Sequence, residues 1–223
     1  MKKILVVAPH ADDESLGCGG TILKHISEGD EVHWLLVTGM STDDGYNENL
    51  VRKRSAEINK VAKCYGFKST IELMFPPASL EEISKKNIIS QIGSIVNSIE
   101  PEVVYTVYRN DAHSDHAVVY DSVIAATKSF RYPFIRRILA YETMSETDFG
   151  LKPEDGGFKP NVYINITNYL ETKLNIIAMY KSEIGDFPFP RSREALEALA
   201  KVRGVQCSAQ AAEAFMLIKE INT

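Results

Sequence analysis

Short runs of β-branched and aliphatic residues alternate with longer helical patterns through the first half of this 223-residue chain. The first run, KILVVA at residues 3–8, is almost continuously apolar, which is typical of a strand covered on both faces. Three further strands are predicted, each after a helical pattern: Glu31 to Thr38, Thr70 to Phe75 and Val103 to Val107. Strands separated by helices at this spacing predict an α/β fold with a mostly parallel sheet and right-handed crossovers.

Helices are predicted between these strands, and the pattern loosens after residue 130. In the first half the predicted helices cover residues 15–28, 47–65, 79–98 and 117–128. The third of them opens with Ser79 and Glu82 at capping-box spacing. The second half contains predicted strands at 135–141 and 161–166, and helices at 167–180, 192–202 and 209–221. We predict one domain over residues 1–223, with a βα core at 1–130 and a part at 131–223 that shapes the substrate cleft.

Composition argues against several classes of protein. Asp and Glu (30) outnumber Lys and Arg (25), and no basic stretch is dense enough for nucleic-acid binding. His10 and the carboxylates at 12–14 interrupt the first apolar segment too early for a secretion signal, and no later run approaches the roughly 20 residues of a membrane span. The three cysteines are far apart and fit reduced thiols. We therefore predict a cytoplasmic protein that acts on a small molecule. Its oligomeric state is left open, a homo-oligomer included.

The segment Pro9 to Glu14 directly follows the first predicted strand. Ligands of an open parallel sheet bind beyond the carboxyl ends of the strands, so the histidine and three carboxylates of this segment lie at that edge. Three consecutive carboxylates repel one another and need a cation nearby. The alternative is a solvated acidic turn in which Asp13 or Ser15 caps the next helix.

A second polar segment, Asp111 to His116, follows the fourth strand and is predicted at the same edge. His113 and His116 are three residues apart and share a face if a helix begins here. Asp115 is placed to fix the tautomer of one of them through a hydrogen bond. The alternative is a polar loop that leads into the next helix. Three of the five histidines fall in these two segments, which favours a functional site.

The side chains of the two segments indicate a catalytic metal centre. His10, Asp13 and His116 offer two imidazoles and one carboxylate, which leaves positions open for water and substrate, as in catalytic zinc sites. The same set binds Fe(II) in non-haem oxygenases, so Zn²⁺ is the predicted metal and Fe²⁺ the alternative. Asp12 is then the candidate base for a water molecule, and His113 the candidate proton donor or electrophile.

Together the two segments resemble the PIG-L/LmbE-like family of zinc-dependent N-deacetylases, whose signature is A/P-H-P-D-D-E followed well downstream by H-x-D-H. Other segments resemble the same family: Gly17 to Thr21, Arg54 to Glu57 with Gly66, Arg203 with Gly204, and Ala212 to Phe215. The resemblance thus covers most of the chain. It implies a Rossmann-like, mostly parallel sheet with helices on both faces.

The resemblance also implies roles for particular residues. The metal ligands would be His10, Asp13 and His116, the general base Asp12, and the acid or oxyanion-stabilising residue His113, supported by Asp115. Arg54 would contact the sugar or its substituent. The implied reaction removes an N-acetyl or other small acyl group from an amino-sugar-containing substrate, such as an N-acetylglucosamine-type sugar or its conjugate. Apart from the resemblance, Glu142, Ser145 and Thr147 open a long loop and are candidates for lining the cleft.

Two positions depart from the family pattern. Ala11 stands in place of the usual proline, which removes no chemical group. The segment Phe75 to Ala78 follows the third strand, where many relatives place an aspartate that holds a sugar hydroxyl. The sugar contacts at this position are therefore expected to differ.

Two alternatives come from other functional classes. One is a non-haem Fe(II) oxygenase that uses the same three ligands, although such sites usually lie on antiparallel β scaffolds. The other is a non-catalytic relative that binds an amino sugar. A relative of that kind should lack a ligand or the base, and here both motifs are complete.

Overall fold

The structure, a computed structural model, describes residues 1–222, and these form a sheet of seven strands. The strands are β1 (Lys3–Ala8), β2 (Glu31–Thr38), β3 (Ser69–Phe75), β4 (Val103–Val107), β5 (Arg137–Tyr141), β6 (Val162–Asn165) and β7 (Ala212–Glu220). Their order across the sheet is β3-β2-β1-β4-β5-β7-β6. The first five pair in parallel, and β7 runs antiparallel between β5 and β6. The predicted mostly parallel α/β sheet is confirmed.

Six α-helices cover the sheet within the described residues. They are α1 (Asp13–Ser27), α2 (Glu48–Tyr65), α3 (Lys85–Ile99), α4 (Ser114–Ala126), α5 (Leu170–Ile177) and α6 (Arg193–Val205). Helices α1, α2 and α5 contact one another, and α3 packs against α4. Because right-handed crossovers in opposite directions along a sheet lie on opposite faces, these two groups cover both faces. In the described part of the chain, no helix combines the length and the apolar character that crossing a membrane requires.

Burial of β1 shows why residues 4–8 of this strand are all apolar. Residues 4–8 are all inaccessible to solvent, since helices cover both sides of the strand. β1 lies between β2 and β4, so the chain leaves β1 toward one edge of the sheet and leaves β4 toward the other. This reversal opens a crevice beyond the carboxyl ends of β1 and β4. The two polar segments of the sequence begin there.

The last element differs from the prediction. Residues 209–221 were expected to form a helix, but Ala212–Glu220 form β7, which pairs with β5 on one side and β6 on the other. The segment is rich in Ala, Glu, Met, Leu and Lys, which favour a helix locally. Pairing on both edges and burial of residues 212–215 outweigh that preference.

The predicted capping box at the third helix is also wrong. α3 begins only at Lys85, after a short 3₁₀ turn at Leu80–Glu82, and the Ser79 hydroxyl donates to the carbonyl of Pro76 instead of capping a helix. The Asp115 carboxylate accepts hydrogen bonds from the backbone N–H groups of Ala78 and Leu80. These bonds, together with full burial of Leu80, hold the segment in its non-helical path.

Candidate active site

The crevice brings the histidines of the two polar segments together. The ring centroid of His10 lies 4.3 Å from that of His113 and 5.6 Å from that of His116. His10 follows β1, whereas His113 is the N-cap of α4 and His116 lies in its first turn. The fold thus unites residues that are about a hundred positions apart in the sequence, because β1 and β4 are neighbours in the sheet.

Three side chains present possible metal ligands to a common point. Asp13 Oδ2 lies 3.4 Å from His10 Nδ1 and 3.5 Å from His116 Nε2. Among the described residues, His116 Nε2 is buried and has no hydrogen-bond partner. One imidazole nitrogen from each histidine and one carboxylate oxygen form a donor set that fits a divalent metal ion. We call His10, Asp13 and His116 the three-ligand cluster.

Each histidine of this cluster is held by a carboxylate on its other nitrogen. His116 Nδ1 is 2.7 Å from Asp111 Oδ2, and His10 Nε2 is 2.9 Å from Asp115 Oδ2. Such carboxylate partners orient the ring of metal-binding histidines and fix the tautomer. The sequence predicts that Asp115 supports His113 or His116, but its carboxylate contacts His10. No role is predicted for Asp111, although this residue begins the same motif.

The electrostatics of the cluster favour positive charge at this point. Burial lowers the pKa of His116, but Asp13 and Asp111 raise it to about 10. Burial would raise the pKa of Asp13, but His116 and His10 hold it well below its usual range. Asp13 is therefore ionised, and the surroundings stabilise a cation, either protons on the rings or a metal ion.

His113 lines the cavity beside the cluster and is half-buried. Its Nδ1 accepts a hydrogen bond of 3.2 Å from the backbone N–H of Asp115, so the neutral ring carries its proton on Nε2. The Asp115 carboxylate is 3.9 Å from Nδ1, too far for a hydrogen bond. Burial lowers the pKa of His113, and the nearby His10 adds to this effect.

Asp12 is buried at the N-terminus of α1 and also lines the cavity. Its Oδ2 accepts a hydrogen bond of 2.6 Å from Nη1 of Arg191. Burial and the neighbouring Asp13 raise the pKa of Asp12 to about 7, although Arg191 acts in the opposite direction. A carboxylate with this pKa is suited to accept a proton near neutral pH.

Arg191 is a site residue that the sequence motifs do not indicate. It lies between α5 and α6, and besides Asp12 it contacts three side chains: Ser145 (Nε to Oγ, 2.7 Å), Glu146 (3.3 Å) and Glu183 (3.2 Å). It is largely buried, with 16% of the side chain exposed. In the sequence, only the turn-rich residues 186–190 mark this region. No spacing links Arg191 to the two motifs.

Arg54 and Glu142, the two predicted substrate contacts, lie in different surroundings. Arg54 lines the cavity, donates to the carbonyl of Ala11 over 3.3 Å, and forms an ion pair with Glu183. Glu142 is not among the cavity-lining residues, and both of its carboxylate oxygens accept hydrogen bonds from Arg203, at 2.8 and 2.6 Å. The loop residue that lines the cavity is Glu146. The placement of Glu142 in the cleft is therefore corrected.

The cavity has a volume of about 430 Å³ and contains the three-ligand cluster, Asp12 and His113 in its wall. This volume fits a small-molecule ligand. Ser145 and Thr147, the other two loop residues predicted to line the cleft, are not among the cavity-lining residues. The Ser145 hydroxyl accepts a hydrogen bond from Arg191, and the Thr147 hydroxyl donates to Asp111 over 2.6 Å.

Fold and site together define an α/β protein with two histidines and one carboxylate at the switch point of its sheet, beside a small-molecule cavity. Residues 5–127 match the model of the PIG-L family, described as GlcNAc-PI de-N-acetylase. The match covers more than half of the chain and includes both polar segments. The chain belongs to this family.

Two relatives agree with this assignment, and a solved structure has the same fold. The chain is 29% identical over 188 residues to an uncharacterized deacetylase, YaiS, of Escherichia coli (strain K12), covering 81% of this chain and 91% of the relative. It is 28% identical over 199 residues to the diacetylchitobiose deacetylase of Thermococcus kodakarensis, covering 82% and 70%. The conserved protein TT1542 of Thermus thermophilus has the same fold, with a TM-score of 0.79, 23% identity and coverage of 100% and 97%.

Proposed function

We propose that this chain is a zinc-dependent N-deacetylase that hydrolyses an N-acetyl or other small acyl group from an amino-sugar-containing substrate. One observation carries the proposal: the three-ligand cluster, with its unpartnered buried nitrogen on His116, shares one cavity wall with Asp12 and His113. Hydrolysis of an amide needs a site for the carbonyl, a base for water and a donor for the leaving nitrogen. The cavity has a candidate for each.

The relatives support the class of substrate. The similar protein from Escherichia coli is named a deacetylase, and the one from Thermococcus kodakarensis acts on diacetylchitobiose. Each aligns with about four fifths of this chain. From both relatives we infer that this protein also removes acetyl groups. From the Thermococcus kodakarensis relative we infer that its substrate contains an amino sugar.

The residues of the chain would divide the reaction between them. When bound by the three-ligand cluster, zinc supplies Lewis-acid polarisation of the amide carbonyl and makes a water molecule more acidic. Asp12 takes the proton of the attacking water on a carboxylate oxygen. Arg191 holds that carboxylate in the cavity wall.

His113 serves the opposite end of the scissile amide. Its Nδ1 is occupied by the backbone N–H of Asp115, so only Nε2 can face the substrate. From there it donates a hydrogen bond to the oxygen that gains negative charge, and the proton that Asp12 took from the water passes to the departing nitrogen. The products are acetate, or the corresponding acid, and a free amine on the sugar.

The proposal is tested by a screen for free amine across N-acetylated sugars, including N,N'-diacetylchitobiose, with metal analysis of the same sample. We expect amine release by zinc-containing protein, and loss of nearly all activity in Asp12→Asn with the metal retained. Asp44→Asn, which changes an exposed carboxylate, is the matched control and should keep full activity. Release of no amine from any member by metal-loaded protein would contradict the proposal.

The same three ligands would also serve a non-haem Fe(II) oxygenase. Such an enzyme has no need of a base beside the carboxylate ligand, whereas here Asp12 lies next to Asp13 in the cavity wall. Turnover with Fe(II) and a 2-oxo acid, and none with zinc, would favour the oxygenase. Tight binding of an amino sugar with no turnover under either condition would favour a non-catalytic protein.

A further inference from the structure

Part of the cavity wall is apolar and plays no role in the reaction described above. It lies between α2 and the ends of β2 and β3. We call this part the annex and define it by six residues: Leu36, Met40, Val51, Ile58, Met74 and Glu72. Five of them are apolar, and Glu72 is the single charged member.

The helix side of the annex follows from the spacing of residues in α2. Val51, Arg54, Ser55 and Ile58 all line the cavity, and their spacing of i, i+3, i+4 and i+7 places them on one face of the helix. Leu50, one residue before Val51, does not line the cavity and is 54% exposed. Val51 and Ile58, at the two ends of this helix face, therefore contribute apolar side chains to the cavity wall.

The sheet side of the annex contains an irregularity in β3. Glu72 pairs with Leu36 and Phe75 with Thr38, so β3 has one residue more than β2 over this stretch. The extra residue bends the strand near Met74, whose φ of 57° lies in the left-handed region that non-glycine residues avoid. Met74 packs so closely on Gly39 that a Cβ there would lie 2.4 Å from its Sδ. Met74 thus lines the cavity from a strained backbone position, with 45% of the residue exposed.

The annex adjoins the loop that contains the proposed catalytic residues. Ala11, between His10 and Asp12, packs against the cluster that contains Leu36 and Ile58. The carbonyl of Ala11 accepts a hydrogen bond from Arg54, which lies on the annex face of α2. A ligand whose amide reaches the three-ligand cluster can therefore extend into the annex without leaving the cavity.

Glu72 stands out among the carboxylates of this cavity. Glu72 is solvent-exposed at the cavity, and in the structure of residues 1–222 its side chain has no hydrogen bond and no ion pair, whereas the less exposed Asp12, Glu146 and Glu183 all contact Arg191. Partial burial raises the pKa of Glu72. A carboxylate without a partner beside apolar side chains is suited to accept a hydrogen bond from a ligand hydroxyl.

We propose that the annex is a subsite for an apolar substituent of the substrate, and that Glu72 accepts a hydrogen bond from a sugar hydroxyl beside it. The substituent is an alkyl or aryl group, carried either as an aglycone or as the alkyl part of a longer acyl group. This inference rests on the proposed function, because it places a substituent of the amino sugar that the function requires.

The test measures binding by calorimetry, which needs no turnover. In the aglycone series, methyl, butyl and phenyl glucosaminides are titrated into zinc-loaded protein. In the acyl series, methyl glycosides of N-acetyl-, N-butanoyl- and N-hexanoylglucosamine are titrated into Asp12→Asn. Affinity should rise up to about fourfold per buried methylene in the series whose substituent enters the annex. A rise in one series identifies the source of the apolar group, and no rise in either overturns the subsite.

Neighbouring residues of α2 provide the control. Val51→Asn should abolish most of the rise, and Leu50→Asn, which alters the adjacent exposed residue, should preserve it. Equal behaviour of the two variants would overturn the assignment of the annex. For the carboxylate, Glu72→Ala should weaken binding of methyl glucosaminide roughly tenfold, whereas Glu82→Ala should leave it unchanged. Unchanged binding by Glu72→Ala would overturn the hydrogen bond.

The binding results and the amine-release screen separate the two proposals. A rise in affinity without amine release from any compound would leave the subsite standing and contradict the deacetylase. Amine release with flat affinities in both series would leave the deacetylase standing and contradict the subsite.

Discussion

Nη1 of Arg191 lies 2.6 Å from Oδ2 of Asp12, and this contact joins the segment between α5 and α6 to the loop that follows β1. Burial and the charge of Asp13 raise the pKa of Asp12, and the positive charge of Arg191 lowers it. Glu183 accepts from the same Nη1, and Glu146 accepts from Nη2 of the same guanidinium. Arg191 therefore controls both the position and the ionisation of the candidate base.

Arg191→Gln is expected to lower kcat about tenfold or more and to move the pH profile. Arg191 lowers the pKa of Asp12, so its removal raises that pKa above about 7. A base with a higher pKa is protonated to a higher pH, and the acidic limb of the profile of kcat/KM shifts upward. Arg193→Gln, which changes an exposed arginine nearby, should leave the limb in place. A profile of Arg191→Gln that does not move would contradict the role.

Asp111 is expected to determine metal affinity through His116. Its Oδ2 holds His116 Nδ1 at 2.7 Å, which leaves Nε2 directed at Asp13. Asp111→Asn should weaken zinc binding about 10- to 100-fold, measured by competition with a chelator of known affinity. Asp121→Asn alters a surface carboxylate on α4, the helix that contains His116, and should not change the zinc affinity. An unaltered zinc affinity in Asp111→Asn would show that His116 needs no such partner.

The buried ion pair of Lys173 and Glu213 is expected to stabilise the fold strongly. Nζ lies 2.6 Å from Oε1, and Glu213 also accepts hydrogen bonds from the backbone N–H groups of Gly20 and Thr21. These N–H groups follow Cys18, where α1 departs from helical geometry. Glu213 on β7 thus accepts hydrogen bonds from backbone N–H groups of α1 next to this irregularity.

Lys173→Met leaves Glu213 buried without its cation, and should lower the free energy of unfolding by about 3–5 kcal/mol. Lys201→Met breaks an exposed pair with Glu197 and should lower it by less than about 1 kcal/mol. Urea denaturation of both variants measures the difference. Equal losses of unfolding free energy in the two variants would contradict the expected stabilisation by the buried pair.

The location of the site could be predicted from the sequence, because it depends on local order and a general property of parallel sheets. Residues 9–14 and 111–116 each follow an apolar strand, and the carboxyl ends of such strands share an edge. The ligand types in these segments then indicate a metal. The bounds of β1, β2 and β4 were predicted without error, since these segments are rich in aliphatic and β-branched residues and most of their flanking residues are charged or turn-forming.

The remaining features depend on contacts between distant residues. Arg191 reaches Asp12 only because the segment after α5 folds over the cavity, and no pattern in the sequence marks that path. The partner of Asp115 is His10 rather than His113, because the backbone N–H of Asp115 already occupies Nδ1 of His113. The strand β7 has a helix-favouring composition, and its conformation is set by the two strands it joins.

A zinc titration of metal-free protein tests the central claim most directly. Metal bound per chain and the initial rate of amine release from an N-acetylated amino sugar are measured at each addition. We expect metal-free protein to release almost no amine, and the rate to rise in proportion to bound zinc until one ion per chain is reached. Full activity in protein stripped of metal, or zinc binding at the three-ligand cluster with no amine release from any substrate, would contradict the account.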